Sequence, residues 1–549
     1  MYSNTALQYD LFDYAEEIEN SIIKPLRKNE DKFEKKIIEK LSHYSLECYI
    51  DDIKTIGLKK TWDNICKFIK SDSKHVNEFL RNSNFGQLYE MGLAEEDKEK
   101  KKSNGQYFTP EDVATIMAQW FANLDAENVC DVACGTGNLI LNYLEIIGIK
   151  KATELISSGK LYLYDFDETA LNICKTSILL KYGIQYKNMI HDIYCDFLDM
   201  KIHLPENCKV ISNPPYARIE SISYKWGDSE IISNTKEYYA AFIEKIIKQS
   251  KRSVIITPFS FMGGTKFYSL RKLMNNYNGF IVAFDNVPGN IFSGKKFGIF
   301  NTNTSNSVRA AITVIENKEN KKGFRTSSFI RFKNIEREKL LNTKVLESFL
   351  SDEYQIITSQ NSMYFKCNKE LTEVYKIWKE KSSKTLSNYV CENGQFLLSM
   401  PNTCRYITVA SSKELKRSGQ IILRFSDKDV YNFVYCLINS SFAYWYWRLY
   451  DGGITYQKGL LLSLPIFYDL LTIEDKKFFE KTTEELQKIE TKCIVTKTNV
   501  GIQENLRFPK IYREKINQKL FDILNIKKNI SLFNSVHSNM ALEENVCDK

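Results

Sequence analysis

Histidine is scarce in this 549-residue sequence, with five in all, and its 13 cysteines are scattered rather than grouped. Cys130 and Cys134 have no second pair near them, so the spacing that builds a zinc or iron–sulfur centre is absent and no metal is expected. Singly spread thiols fit the reduced cysteines of a cytoplasmic protein better than a disulfide framework. Long hydrophobic runs are also missing: nothing approaches the roughly 20 apolar residues that a bilayer-spanning helix needs. The first residues, Met1 Tyr2 Ser3 Asn4 Thr5, carry neither the basic stretch nor the apolar segment of a secretory signal. Membrane and exported classes are thereby set aside, and the protein is expected to stay inside the cell.

What is present suits a folded chain of two or three domains. Hydrophobic residues make up 43% and charged residues 26%, the aromatic share is 13%, and the formal net charge is +8. A modest basic excess agrees with a local nucleic-acid-binding patch without demanding one. The frequent Lys, Asn and Ile reflect codon use in an AT-rich genome and carry no functional reading.

Residues 1–103 read as a helical extension, a scaffold or cover: Phe33, Ile37, Ile38 and Leu41 repeat at helical spacing, as do Trp62, Ile65, Cys66 and Ile69. The run Lys98 to Lys102 is a solvated linker. Next, Thr109 is a natural N-cap, with Pro110 at the first helical position and Glu111 and Asp112 in the first turn. Val129 to Val132 is a strand that enters the turn Ala133 Cys134 Gly135 Thr136 Gly137. Its glycines let backbone approach a ligand, yet it has neither the dinucleotide fingerprint nor a P-loop Lys. Leu161 to Tyr164 is a second strand with Asp165 at its tip, the position that takes ribose hydroxyls in such units. Asp196 and Phe197 follow another helical segment; an acid there can accept from an adenine amine and the ring can line the base. Each acid taken singly reads equally well as a solvated strand end.

The most informative stretch is Asn213 Pro214 Pro215 Tyr216, directly after the short run Lys209 Val210 Ile211. Consecutive prolines fix φ, remove two backbone donors and hold the preceding Asn extended, so amide and carbonyl acceptors converge. An aromatic amine is a weak nucleophile because its lone pair is delocalised. Two acceptors, Asn213 Oδ1 and the Pro214 carbonyl, can draw its nitrogen towards a tetrahedral shape while the Tyr216 ring stacks on the heterocycle. Asn213 would orient and not act as a base. The bland alternative is a strand-end Asn-Pro turn with Tyr216 at the core's edge.

Further strands at 253–258, 280–284 and 308–315, the last of the set, alternate with helices around 239–247 and 270–274. The expected fold is therefore α/β, a doubly wound Rossmann-like sheet whose strand C-terminal edge gathers the Gly turn and the acids. The loop from Val287 to Lys296 carries Phe292 and two lysines. Phe292 closes a base's second face opposite Tyr216 and the lysines hold a phosphate, or the loop simply buries one Phe.

Taken in order, Gly105 to Pro110, Asp131 to Gly137, Asp165, Asp196 Phe197 and Asn213 to Tyr216 resemble the gamma-class, TaqI-type adenine-specific DNA methyltransferases over about residues 104–316. Val132 departs from the Pro usual in that family's Gly loop. The resemblance implies a class I methyltransferase domain at 104–320 and an α+β target recognition domain at 321–549. It implies S-adenosylmethionine as methyl donor: Thr109, Asp131, Ala133, Gly135 and Gly137 at its methionine end, Asp165 on the ribose, Asp196 and Phe197 at the adenine. It further implies N6 methylation of an adenine flipped out of double-stranded DNA, within a bacterial restriction-modification setting and with an endonuclease as a possible separate partner.

The stretches Tyr406 to Lys413, Ser441 to Arg448, Asp451 to Tyr456 and Leu464 to Phe467 resemble that family's recognition domains. Tyr444, Trp445 and Trp447 equally suit a core. Two other classes stay open: a methyltransferase of RNA bases or protein glutamine, whose amines pose the same problem, and a DNA-binding specificity protein without catalysis.

Overall fold

The computed structural model describes residues 109–526, apart from 251, 287, 293–307, 319–320, 360–361, 368, 404–406, 451–454 and 498–502. The expected N-terminal extension, the Lys98 to Lys102 run and Gly105 to Phe108 lie outside the described residues, as do Lys295, Lys296 and Tyr406.

One eight-stranded sheet organises residues 109–330. Its strands are β1 (Asn128–Val132), β2 (Leu161–Asp165), β3 (Ile190–Tyr194), β4 (Cys208–Ser212), β5 (Ser253–Pro258), β6 (Asn278–Phe284), β7 (Ala310–Ile315) and β8 (Gly323–Ile330), in the spatial order β3-β2-β1-β4-β5-β7-β6-β8. Only β7 runs against its neighbours. The parallel strands need crossovers, supplied by α1 (Glu111–Ala122) ahead of β1, α2 (Asn138–Ile147), α3 (Ile149–Ser157), α4 (Glu168–Tyr182), α5 (Glu230–Thr235), α6 (Tyr238–Ser250) and α7 (Tyr268–Met274).

Strand residues alternate between two cores. Val129, Leu163, Ile211 and Val254 pack on one side with Met117 and Phe121 of α1, Tyr143 of α2 and Ile178 of α4. Cys130, Val132, Val210 and Ile255 face the other side with Phe242 and Ile246 of α6 and Met274 of α7. Apolar residues on both faces of the strands are what a sheet covered by helices on both sides requires. The α/β expectation holds.

The strand at 308–315 is not the last. β8 pairs in parallel with β6 from Asn278–Gly323 to Phe284–Ile330, beyond position 320, where the catalytic domain was expected to end. Its sequence, Gly-Phe-Arg-Thr-Ser-Ser-Phe-Ile, lacks the apolar run of the other strands. Its polar groups are satisfied by a covering segment: Thr326 Oγ1 donates to the Phe365 carbonyl at 2.6 Å and Gln355 Nε2 donates to Thr326 Oγ1 at 2.7 Å.

The C-terminal region has its own α+β core. Helices α8 (Lys369–Lys381), α9 (Lys428–Ile438), α10 (Ser441–Tyr450), α11 (Ile473–Glu490) and α12 (Lys510–Ile523) surround an antiparallel pair, Phe396–Pro401 with Gln420–Phe425. Tyr444, Trp445 and Trp447 are buried there, and Trp378 of α8 stacks on Trp445 at 6.1 Å. The aromatic run of α10 is thus core. This region meets the sheet through Arg448, whose guanidinium lies over Phe329 of β8 at 5.5 Å, and through Gly263, where the Tyr450 carbonyl leaves no space for a Cβ.

Lys209 interrupts the apolar run of β4 for a reason the pattern hides. Its buried ammonium donates to the Phe121 and Leu124 carbonyls at 3.0 and 2.8 Å, at the C-terminal end of α1, and lies 4.7 Å from the Phe121 and Tyr143 ring centroids. Burial lowers its pKa to about 8, while the helix's negative end and the ring faces favour the cation. Lys209→Met should reduce the unfolding free energy by about 1.5–3 kcal/mol, the worth of hydrogen bonds from a charged donor. Urea denaturation checks this, and an unchanged midpoint would contradict it.

Candidate active site

Parallel register brings the candidate residues to one edge. Val132 pairs with Ser212 and with Tyr164, and Asp165 pairs with Tyr194. Ala133, Asn213 and Asp196 therefore leave neighbouring strands on the same side. Ser212 Oγ, fully buried, donates to the Val132 carbonyl at 2.6 Å and ties the Asn-Pro-Pro-Tyr turn to the Gly turn.

Thr109 does not cap α1. Pro110 is the N-cap, a residue without a capping side chain. A proline at N-cap leaves Thr109 outside the helix, and its hydroxyl turns to Asn213 instead: Asn213 Nδ2 donates to Thr109 Oγ1 at 3.0 Å. The Thr109 carbonyl accepts from Asn138 Nδ2, at the start of α2, at 3.3 Å. With its nitrogen given to Thr109, the amide presents Oδ1 as its acceptor.

The Gly turn takes left-handed backbone at Ala133 (φ 59°), Gly135 (φ 53°) and Gly137 (φ 96°). A Cβ on Gly137 would lie 2.7 Å from Cys174 Sγ, whereas one on Gly135 would meet nothing within 4 Å. Gly137 thus serves close packing on α4, and Gly135 borders open space. The Gly135 amide donates to Asp165 Oδ2 at 2.7 Å, and the Asp167 amide donates to Asp165 Oδ1 at 2.7 Å. Beneath this turn Asp131 is fully buried, and neither carboxylate oxygen has a hydrogen-bond partner among the described residues. Burial drives its pKa well above the ordinary carboxylate value and the nearby Asp165 adds to the rise, with the Ile140 amide of α2 pulling weakly the other way. Burial likewise pushes Asp165 up to about 6, against the two amides that hold it.

Asp196 accepts from the Leu198 amide at 3.0 Å and from Trp226 Nε1 at 2.7 Å. Trp226 was not among the expected residues; it lies in the loop after the catalytic turn, where no periodicity marks it. Phe197, expected to line a base, is 4% exposed and packs on Tyr164 and Phe242. The exposed aromatics at this end are Phe166 (74%) and Tyr194 (59%), 6.3 Å apart at the tips of β2 and β3. Phe166, next to Asp165, was passed over because one aromatic at a strand end carries no pattern.

Tyr216 donates its hydroxyl proton to the Ile256 carbonyl at 3.1 Å, which fixes the ring against β5. Phe292 is buried and meets it edge-on, with centroids 5.8 Å apart and planes at 66°. A base held between two rings needs parallel planes about 7 Å apart, twice a carbon contact distance. The expected sandwich is therefore replaced by a corner: Tyr216 and Phe292 make adjoining walls, because the Phe292 side chain is drawn into the core below the turn. Among the described residues no group of His, Cys, Asp and Glu could hold a metal ion, and no helix is long and apolar enough to cross a membrane.

Compared with known proteins, residues 81–390, more than half of the chain, match the family model described as N-6 DNA Methylase. The chain is 25% identical over 278 residues to the type I restriction enzyme MpnII methylase subunit of Mycoplasma pneumoniae, covering 46% of this chain and 48% of that protein. It is 25% identical over 194 residues to the type II methyltransferase M.PstI of Providencia stuartii, covering 32% and 38%. It thus spans half or less of the length of these relatives. Among solved structures, a DrdV–DNA complex aligns at 12% identity and a TM-score of 0.43, over 86% of this chain and 65% of that one.

The two acids under the Gly turn have a consequence for stability. A carboxyl whose folded pKa is raised favours folding while protonated and loses that contribution as pH rises through the folded value. The thermal midpoint of the protein alone should therefore fall as pH rises from about 4, the ordinary carboxylate value, through about 6 and beyond. Asp131→Asn should flatten that dependence and raise the midpoint at pH 7.5. Calorimetric melts across this range check it, and an unchanged slope in the variant would contradict the assignment.

Proposed function

This chain belongs to the N-6 DNA methylase family, and on that footing we propose that it transfers a methyl group from S-adenosylmethionine to N6 of an adenine rotated out of duplex DNA. The observation that carries the reading is the Thr109–Asn213 hydrogen bond, which occupies the amide nitrogen and so supports Oδ1 as the atom that would accept from a substrate amine.

The residues fit the cofactor. Asp131 is an orphaned buried carboxylate beneath a Gly turn, and Gly135 borders open space where a side chain would stand. Buried charge without a partner is costly, and such a group persists where function uses it. Thr109, Asp131, Ala133, Gly135 and Gly137 would hold the methionine end, Asp165 the ribose and Asp196 the adenine, with Phe166 beside it as an accessible ring. Bound there, S-adenosylmethionine supplies an electrophilic methyl carbon on a sulfonium, so the chemistry needs no metal.

The chain's own task is to prepare the amine. Asn213 Oδ1 and the Pro214 carbonyl accept hydrogen bonds from its two N–H groups, which localises the nitrogen lone pair and aims it; one of the two protons passes to water once the N–CH3 bond has formed and the carbon–sulfur bond has broken. Tyr216 receives one face of the base and Phe292 bounds its edge. The ring must leave the DNA stack to arrive there, at a cost of a few kcal/mol. The C-terminal region, whose core is separate from the sheet, is the part that would grip the flanking duplex. The names of the relatives suit a restriction-modification setting in the bacterial cytoplasm, with an endonuclease as a possible separate partner. Amines of RNA bases and glutamine pose the same chemistry, and the family match favours DNA over them.

The test is the purified chain with methyl-labelled cofactor and duplex DNA of varied sequence. N6-methyladenine should form; none formed would overturn the reading. Asn213→Ala should lower turnover about 10²–10³-fold, as loss of one preorganised polar group does, with DNA and cofactor binding largely kept. Asp165→Ala should instead weaken cofactor binding. The reverse pattern would reject the roles given to these two residues.

A further inference from the structure

Arg337 lies outside every motif above, in a short turn after β8, yet it bonds to two segments of the site at once. Its Nε donates to Asp112 Oδ2 at 2.6 Å and its Nη2 to Asp112 Oδ1 at 2.9 Å. On its other side Nη1 donates to the Asn290 carbonyl at 2.8 Å and Nη2 to the Ile291 carbonyl at 2.9 Å. Asp112 stands three residues after Thr109, whose hydroxyl holds Asn213. Ile291 directly precedes Phe292, whose ring abuts Tyr216. One planar guanidinium thus sits between the two chain segments that bound the Asn-Pro-Pro-Tyr turn from opposite ends.

Neighbouring features serve the same junction. The Gly289 amide donates to the Phe332 carbonyl at 2.7 Å, and a Cβ on Gly289 would lie 2.6 Å from that oxygen. The Phe292 loop is therefore seated directly on the segment that delivers Arg337. Glu336, buried, accepts from the Lys333 amide at 2.6 Å and fixes the turn from which Arg337 projects. Ten positions on, Glu347 Oε1 accepts from Trp120 Nε1 of α1 at 2.7 Å, so the chain after β8 is fastened to α1 twice. The Arg337 side chain is only 14% exposed. Four bonds from a rigid fork are what Arg offers and a Lys point charge cannot.

We propose that Arg337 is a positioning residue that sets the Phe292 wall against the Thr109–Asn213 acceptor, and so fixes the width of the pocket for the target base. It touches neither base nor cofactor; it acts through Phe292 and Asp112. The role in turnover rests on the reading of the site as an adenine methyltransferase, whereas the mechanical coupling does not.

Arg337→Lys keeps the charge and removes the fork. In the full-length protein, hydrogen–deuterium exchange should rise in the peptide spanning 288–292 and in the one spanning 109–114. At saturating cofactor, turnover on duplex DNA should fall at least tenfold, with the cofactor dissociation constant within twofold of wild type. Asp112→Asn, which keeps the shape and loses the charge, should show a smaller change of the same kind. Unchanged exchange in both peptides, or turnover within twofold, would overturn the proposal. So would a parallel loss of turnover and cofactor binding, the mark of a merely structural residue. Wild-type protein in the same assay separates the two readings: its failure to methylate would sink the methyltransferase assignment, while the exchange data would still decide the clamp.

Discussion

The site depends on the orientation of one amide. A carboxamide has one acceptor and one donor group of nearly equal size, and only the acceptor can receive a hydrogen bond from an amine N–H. The Thr109 hydroxyl accepts from Asn213 Nδ2, the arrangement in which Oδ1 is left to accept from a substrate. The backbone around it leaves little else to vary: two prolines follow Asn213, Ser212 is bonded to Val132, and the β1–β4 register sets the height of the turn at the sheet edge. Sheet topology therefore does chemical work here. It brings an acceptor from one strand and a Gly turn from its neighbour to the same few ångströms without a long loop.

The same edge is electrostatically tense. Asp131 is buried and Asp165 half-buried beside the Gly turn, and both have raised pKa values, so the fold holds two carboxyls in a place that disfavours their charge. The strain is concentrated where a ligand with donor groups would relieve it, which is the usual relation between a binding site and the stability of its scaffold. Elsewhere several buried polar groups find ordinary partners: Lys209 on helix carbonyls, Arg271 Nη1 on the carbonyls of Phe261 and Gly264, and Thr326 on Phe365.

Much of this was legible in the chain. The strands β1, β2 and β4 to β7 announce themselves through short apolar runs, because strands buried on both faces leave little room for polar residues, whereas β3, Ile190–Tyr194 with His191 and Asp192, does not. β8 escaped because its polar side chains are paid for by a distant segment, and no local pattern can reveal a partner 30 or 40 residues away. Thr109 looked like a helix cap because Thr-Pro-acid-acid is a good helix start; that its hydroxyl goes to a residue 104 positions on is tertiary information. The Phe292 and Tyr216 rings meet edge-on and not as the parallel pair expected, since sequence says nothing of the angle between planes. Trp226 and Arg337 carry no motif, and only their bonds to Asp196 and Asp112 reveal them.

The most direct test of the central claim is methyl transfer by Thr109→Val, a near-isosteric change that removes the acceptor holding Asn213, at saturating cofactor and duplex DNA, beside Thr109→Ser as the control that restores a hydroxyl. If the hydroxyl orients the amide, turnover falls by about 10–100-fold in the Val variant, a loss of about 1.4–2.7 kcal/mol of transition-state stabilisation, and recovers in the Ser variant. Turnover within twofold of wild type for Thr109→Val would contradict the account.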